Sequence, residues 1–369
     1  MLVLLLAGLC AASGLPMVDD ADDSFVPLRP PVLGYRIEWS AGRDEYRLVR
    51  VGGDKVLATG TQEACEKTLV ERLESAWGTG HPNLAFATPG GLQFWGDVFW
   101  FAGWRIQENV YTGHYRLLDP SNVRRAWGGR EACRTAFEGI RVREGLRLEG
   151  EHLVVLVHGL GRTRDSLNGI QAALDRAGYI TAGINYPSTR RTLAEHAAQL
   201  TAVLDRLEGV QTVSFVTHSL GGLVVRAALA QDGAWESRLQ VGRLVMLAPP
   251  SSGSSFADAV DEFLPAQILL GPAAHELAME EIRNIPSPDC SFGIIAAGGP
   301  GSDGWNPLLE GDDDGVVSVE ETRLEGADDF LLVRGLHTFL MKDDQVIQAT
   351  LRFLETGSFS EPAEADKDP

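Results

Sequence analysis

Val213-Ser214-Phe215-Val216-Thr217-His218-Ser219-Leu220-Gly221-Gly222-Leu223-Val224-Val225-Arg226-Ala227-Ala228-Leu229 changes character at its centre. A β-branched apolar run ends at a small polar residue, and a run with helical spacing restarts behind two glycines. The pattern reads as strand, sharp turn and helix. Such a turn holds Ser219 at the tip of a strained bend, where its hydroxyl is exposed and the first amides of the helix face whatever it attacks. Gly221 and Gly222 suit a helix that folds back closely over its strand. Turns of this kind usually read Gly-x-Ser-x-Gly; here Thr217, still small, takes the first position. The plainer alternative is an ordinary strand-to-helix turn with a capping serine.

Outward from this turn, apolar strands alternate with helical segments from Leu153 onward. Leu153–Val157 is a continuous apolar run, as expected of a strand covered on both faces. A helix over Arg164–Ala177 follows, then a strand near Ile180–Ile184 and a helix over Thr192–Leu207. Beyond the turn come strands at Leu244–Ala248, Phe292–Ala296 and Phe330–Val333 and a last helix over Asp344–Glu355. The absence of hairpin signals implies right-handed crossovers, and so an α/β fold with a mostly parallel sheet and helices on both faces. Ligands of such sheets bind at the carboxyl ends of the strands. Both His158-Gly159-Leu160-Gly161 and Ser219 fall there.

A duplicated unit precedes this region, within residues 30–140. Tyr35-Arg36-Ile37-Glu38 aligns with Trp104-Arg105-Ile106-Gln107, and Tyr46-Arg47-Leu48 with Tyr115-Arg116-Leu117, each at an offset of 69 (104−35, 115−46). Gly60-Thr61-Gln62-Glu63-Ala64-Cys65 aligns with Gly128-Gly129-Arg130-Glu131-Ala132-Cys133 at 68 (128−60). Each copy reads as two or three strands and a helix, and the pair is expected to pack as one small α+β domain with Cys65 and Cys133 in equivalent sites. Six tryptophans, Trp39, Trp77, Trp95, Trp100, Trp104 and Trp127, lie here. They read as core, with a carbohydrate- or lipid-binding surface as the alternative. The charged segment Arg141–Glu151 marks the boundary to the second part.

The 369 residues are 44% hydrophobic and 22% charged, enough for one large or two ordinary folded domains. A net charge of −19, with no offsetting basic run, argues against nucleic acid or an anionic membrane as partner. Residues 1–14 read as a signal peptide, since the apolar run Leu2–Leu15 is short for a membrane span and ends among small residues, although no Lys or Arg precedes it. A secreted, periplasmic or envelope protein follows as the expectation, with no transmembrane span in the mature chain. Residues 357–369 read as an acidic disordered tail. Of the four cysteines, Cys10 falls in the signal-peptide reading, and the remaining Cys65, Cys133 and Cys290 are odd in number and wrongly spaced for zinc, so no metal and no cofactor is expected. Nothing in the sequence bears on oligomeric state.

A serine hydroxyl becomes a nucleophile when a base takes its proton, and the base needs an acceptor that fixes its tautomer. Among the eight histidines, His218 adjoins Ser219, where neighbouring side chains diverge, and His158 reads as structural. His337, in Gly335-Leu336-His337-Thr338 after the last strand, is the base candidate. The acid candidate is Asp314, directly before Gly315 in Gly311-Asp312-Asp313-Asp314-Gly315-Val316-Val317-Ser318, with Asp312 and Asp313 as fallbacks. A solvated loop or weak calcium site is the plainer reading of this run. Two converging amides would stabilise the developing oxyanion. Leu220, after the nucleophile, and Leu160, in the turn after the first parallel strand, are the candidates.

Together, His158-Gly159-Leu160-Gly161, Thr217-His218-Ser219-Leu220-Gly221-Gly222, Asp314-Gly315-Val316-Val317 and His337 resemble the α/β-hydrolase superfamily, most of all its bacterial lipases and esterases. The resemblance covers residues 150–356. It implies a triad of Ser219, Asp314 and His337, an oxyanion hole of the Leu160 and Leu220 amides, and hydrolysis of a small-molecule or lipid ester through an acyl-enzyme. Thr217 departs from the common elbow, and the duplicated front part is foreign to the family's core. Thioesterase, amidase and acyltransferase chemistry would use the same geometry. Pro249–Asp289, with Phe256, Phe263, Leu264, Ile268, Leu269 and Leu270, reads equally as a lid or acyl-pocket wall and as a packed connection. A non-catalytic envelope-binding protein, with the hydrolase part as scaffold, is the alternative from another class.

Overall fold

The computed structural model describes residues 23–28, 35–51, 55–77, 85–253, 272, 282, 284–301 and 303–361. The signal-peptide reading, most of the 249–289 stretch and tail residues 362–369 lie outside them.

Each sequence repeat folds as an antiparallel sheet followed by a helix. In the first, β1 (Val26–Pro27), β2 (Tyr35–Ser40), β3 (Glu45–Arg50) and β4 (Lys55–Gly60) pair in that order, and α1 (Gln62–Trp77) lies against them. The second runs β5 (Phe86–Ala87), β6 (Trp95–Phe101), β7 (Trp104–Asn109), β8 (Tyr115–Leu118), β9 (Val123–Gly128) and α2 (Arg130–Glu144), with sheet order β5-β9-β8-β7-β6. The register repeats with the sequence. Ile37 faces Leu48 and Glu38 faces Arg47 in one copy, as Ile106 faces Leu117 and Gln107 faces Arg116 in the other. A bulge interrupts both at the same place, between Leu48 and Val49 and between Leu117 and Leu118. Each copy has its own apolar cluster, with Leu48 and Cys65 in one and Leu117 and Cys133 in the other.

The copies differ in what they pack on. In β6, alternate side chains leave opposite faces. Phe99 and Phe101 meet Phe137 of α2 edge-on, at ring separations of 5.0 and 5.6 Å, while Trp100 enters the core of the parallel sheet. Trp104 is also buried in the second copy's cluster. Trp39, Trp95 and Trp127 are half-buried, and the side chain of Trp77 lies outside the described residues. Within the charged 141–151 segment, Leu148 packs against both the second copy's cluster and the parallel-sheet core.

The parallel sheet has the strand order β11 (Ile180–Ile184), β10 (His152–Val157), β12 (Thr212–His218), β13 (Gln240–Leu247), β14 (Ser291–Gly298), β15 (Asp329–Arg334), and every neighbouring pair is parallel. Alternation along β10 feeds two cores. Leu153, Val155 and Val157 join α4 (Leu193–Leu204) and α5 (Leu220–Leu229) on one face; Val154 and Leu156 join α3 (Asn168–Arg176) and α6 (Asp344–Thr356) on the other. Helix ends follow local chemistry. Thr192 and Glu195 form a capping box at the start of α4, and Asp343 caps α6 through the amides of Gln345 and Val346. Among the described residues, no helix is long and apolar enough to cross a membrane.

Phe137 anchors the second copy's aromatic cluster. Phe137→Ala is expected to cost about 3–5 kcal/mol of stability, read from urea unfolding followed by tryptophan fluorescence. A loss below about 1 kcal/mol would show that the cluster is not a cooperative core.

Candidate active site

Ser219 occupies the bend between β12 and α5 with φ 52° and ψ −126°, a left-handed backbone that a non-glycine residue adopts only under constraint. The constraint is visible. Strand β12 is paired on both edges, and the Ser219 amide donates to Leu247 O of β13 at 2.8 Å. Behind the serine, α5 lies so close to β10 that a Cβ on Gly221 would collide with the carbonyl oxygens of Val157 and His158. Thr217, the departure from the usual pattern, is buried with its hydroxyl toward Val245 O at 3.5 Å.

The turn after β10 closes over the serine. Arg162 N donates to Gly159 O, which makes Gly159–Arg162 a β-turn with Leu160 inside it. A Cβ on Gly159 would stand 3.0 Å from Ser219 Cβ and 2.8 Å from His218 Nδ1, so only a residue without a side chain brings this turn onto the nucleophile candidate. Leu220 contributes the first amide of α5, one that no helical carbonyl can reach.

The acidic run separates by function. Asp314 Oδ1 accepts from the amides of Val316 (3.0 Å) and Val317 (2.8 Å), which turns Oδ2 onto His337 Nδ1 at 2.7 Å. The His337 amide in turn donates to Asp314 O at 2.9 Å. The two fallbacks tie the loop instead. Asp313 accepts from the amides of Asn306 and Gly315, and Asp312 from Gly299 N at 2.6 Å. Asp314 is 1% exposed, while Ser219 and His337 each keep 8%, so the acid is shielded and the other two reach the surface. Among the described residues, no cluster of His, Cys, Asp or Glu could hold a metal ion.

Two further histidines shape the site without facing it as bases. His218 Nε2 donates to His337 O at 3.0 Å and its ring lies 4.7 Å from that of His337. Burial, followed by the neighbouring His337, pushes its pKa well below the usual range. His158 stacks on Tyr186 at 4.3 Å, and Tyr186 Oη donates to His158 O at 2.6 Å; burial lowers its pKa to about 4. Arg226, buried in α5, donates to Ser251 O, Ile285 O and Pro286 O and so joins the two described ends of the 249–289 stretch.

A serine at a strained strand-to-helix turn over a parallel sheet, with acid and histidine following it on later strand ends, decides the architecture. The fold is that of an α/β-hydrolase. Residues 126–263 match a family described as a domain of unknown function, DUF7379. No curated protein matches the chain. Among solved structures, the mature lipase BlEst2 of Bacillus licheniformis is 21% identical, with a TM-score of 0.47 over 58% of this chain and 96% of that one. The product of gene lin2722 from Listeria innocua is 16% identical, with a TM-score of 0.43 over 58% and 97%. A thermophilic esterase from Thermogutta terrifontis is 15% identical, with a TM-score of 0.40 over 57% and 91%.

His158 and His196 carry a pH signature. Burial lowers their pKa values from 6.5 to about 4 and about 3, so the unfolded chain takes up protons that the folded one refuses. Their contribution to stability is complete above about pH 6.5 and is lost as pH falls toward 4, at up to about 1.4 kcal/mol per unit for each. Urea midpoints measured from pH 7.5 to 4.5 should fall below pH 6.5, with the two C2–H proton resonances still at their neutral positions at pH 5.5. Charged-form shifts at that pH would contradict it.

Proposed function

We propose that this chain is a serine hydrolase that cleaves carboxylic esters through an acyl-enzyme. The observation that carries the reading is the 2.7 Å bond between Asp314 Oδ2 and His337 Nδ1, with His337 bonded by His218, the residue before a serine held at φ 52° on the strand-to-helix turn. With Nδ1–H committed to Asp314, the lone pair of His337 sits on Nε2, the form in which imidazole takes a hydroxyl proton. Ser219 Oγ then bonds to the ester carbonyl carbon, and the carbonyl electron pair moves onto oxygen. The Leu160 and Leu220 amides stabilise that oxyanion. Collapse expels the alcohol, which takes its proton from His337. Water repeats the sequence and frees the acid. Buried Asp314 stabilises the imidazolium at each stage.

Leu336 and Phe339, both exposed next to His337, give this edge an apolar character suited to an acyl or alkyl group. Export of the chain belongs to the same proposal, on the apolar run Leu2–Leu15.

Hydrolysis of p-nitrophenyl esters of increasing acyl length tests the reaction and locates the chain-length optimum. Ser219→Ala is expected to lose about 10⁴-fold or more in kcat. Asp314→Asn should lose about 10⁴-fold, whereas Asp312→Asn, whose side chain only ties the loop, should lose far less. Equal losses in the two Asp variants would remove Asp314 from its role. A folded wild type that neither hydrolyses any ester nor labels with a fluorophosphonate would move the assignment to the binding role.

A further inference from the structure

The second repeat reaches into the turn above Ser219 through one side chain. Gln93 lies in the Gly91–Phe94 turn that leads into β6. Its Nε2 donates to Arg162 O at 2.7 Å. Its Oε1 accepts from Thr189 N at 2.9 Å, and from Ser188 Oγ and Thr189 Oγ1 at 3.1 Å each. Ser188 Oγ in turn accepts from Gly161 N at 2.9 Å. The Gly159–Arg162 turn is thus held from both ends of its second half: Gly161 N through Ser188, and Arg162 O directly. The Leu160 amide, directly before Gly161 in the same turn, is the one assigned above to the oxyanion.

The platform under Gln93 is itself rigid. Asp97 of β6 is fully buried and accepts from Asn185 N at 2.6 Å, while Asp97 N donates to Asn185 O at 2.8 Å. Asn185 Nδ2 donates to Leu92 O and Trp95 O, on either side of Gln93 along the chain. Gln199 of α4 donates to Asp97 O and Asn185 O. An amide side chain is required at position 93, because one group must donate to a carbonyl and accept from two hydroxyls and an amide at once.

We propose that Gln93 is a positioning residue for ester hydrolysis, through which the second repeat fixes the Leu160 amide at the oxyanion site. This rests on the hydrolase reading. The second repeat is then a brace for the catalytic turn, since among the described residues Gln93 is its direct hydrogen-bonded tie to the 158–162 turn.

The test compares Gln93→Ala, Gln93→Glu and Phe137→Leu in the full-length chain. Kinetics on a short p-nitrophenyl ester are measured together with the fluorophosphonate inactivation rate, inhibition by an alkyl trifluoromethyl ketone and the thermal midpoint. Gln93→Ala is expected to lower kcat about tenfold or more with KM within about twofold. Inactivation rate and ketone affinity should fall in parallel, since both depend on the oxyanion amides. Gln93→Glu, which keeps the acceptor and loses the donor to Arg162 O, should lie between wild type and Gln93→Ala. Phe137→Leu should lower the thermal midpoint with kcat unchanged. Wild-type kcat and ketone affinity in Gln93→Ala would overturn the proposal while leaving the hydrolase reading intact, as would an equal kcat loss in Phe137→Leu. A wild type that neither hydrolyses nor labels would overturn both.

Discussion

The left-handed backbone at Ser219 is the constraint on which the rest of the site depends. A non-glycine residue held at φ 52° costs on the order of 1–3 kcal/mol, and it persists only where neighbours leave no alternative. Those neighbours are the paired edges of β12, the amide bond to Leu247 O, and the bare glycines at 159 and 221 that let β10 and α5 close in. The bend places the serine above the sheet and aims the first amide of α5 at the same region. Both follow from one backbone conformation. The strain at Ser219 is therefore held by the sheet, whose central strands are buried.

Around this bend the other groups are set by specific hydrogen bonds. Asp314 commits one oxygen to two backbone amides, which leaves the second for His337. His218 bonds the backbone carbonyl of His337, and burial keeps it neutral, so it donates from Nε2 without placing a positive charge beside the His337 ring. His158, also neutral, stacks under the same turn that covers the serine.

Much of this was legible in the chain. The apolar runs at Leu153, Val213, Leu244 and Phe292 are strands because two-faced burial leaves an unmistakable pattern, the Phe330 run is an edge strand with Leu332 exposed, and two glycines behind a serine encode a close helix-to-strand approach. The offset of 69 between the repeats survives as identical register and an identical bulge, because register is fixed by which residues must face the core. Asp314 could be preferred over Asp312 and Asp313 only by its place before Gly315, and the bonding pattern separates them by where their carboxylates end. What the sequence does not carry is long-range polar pairing. Gln93, Asn185, Ser188 and Gln199 are ordinary surface residue types in a linear reading, and no periodicity links positions some 90 residues apart.

The divergence of the two repeats follows from that pairing. In the first copy Glu38 faces Arg47 and also bonds Arg36, and these two arginines keep about a third of their side-chain surface in water. The second copy places Arg105 and Arg116 at the matching positions, but its β6 brings the buried carboxylate of Asp97 alongside, 4.0 Å from Arg105. A glutamate at position 107 would set a second carboxylate against Asp97 with little water to screen the repulsion. Gln107 removes the charge and supplies both functions, donating from Nε2 to Asp97 at 2.7 Å and accepting from Arg116 Nε at 2.9 Å. Gln107 adds to Arg105 and the Asn185 amide in stabilising the buried Asp97, and Asp97 in turn holds Asn185, which bonds the turn that carries Gln93. Where the first copy has Glu38, Gln107 thus ties the second copy's sheet to the Asp97–Asn185 contact with the parallel-sheet part.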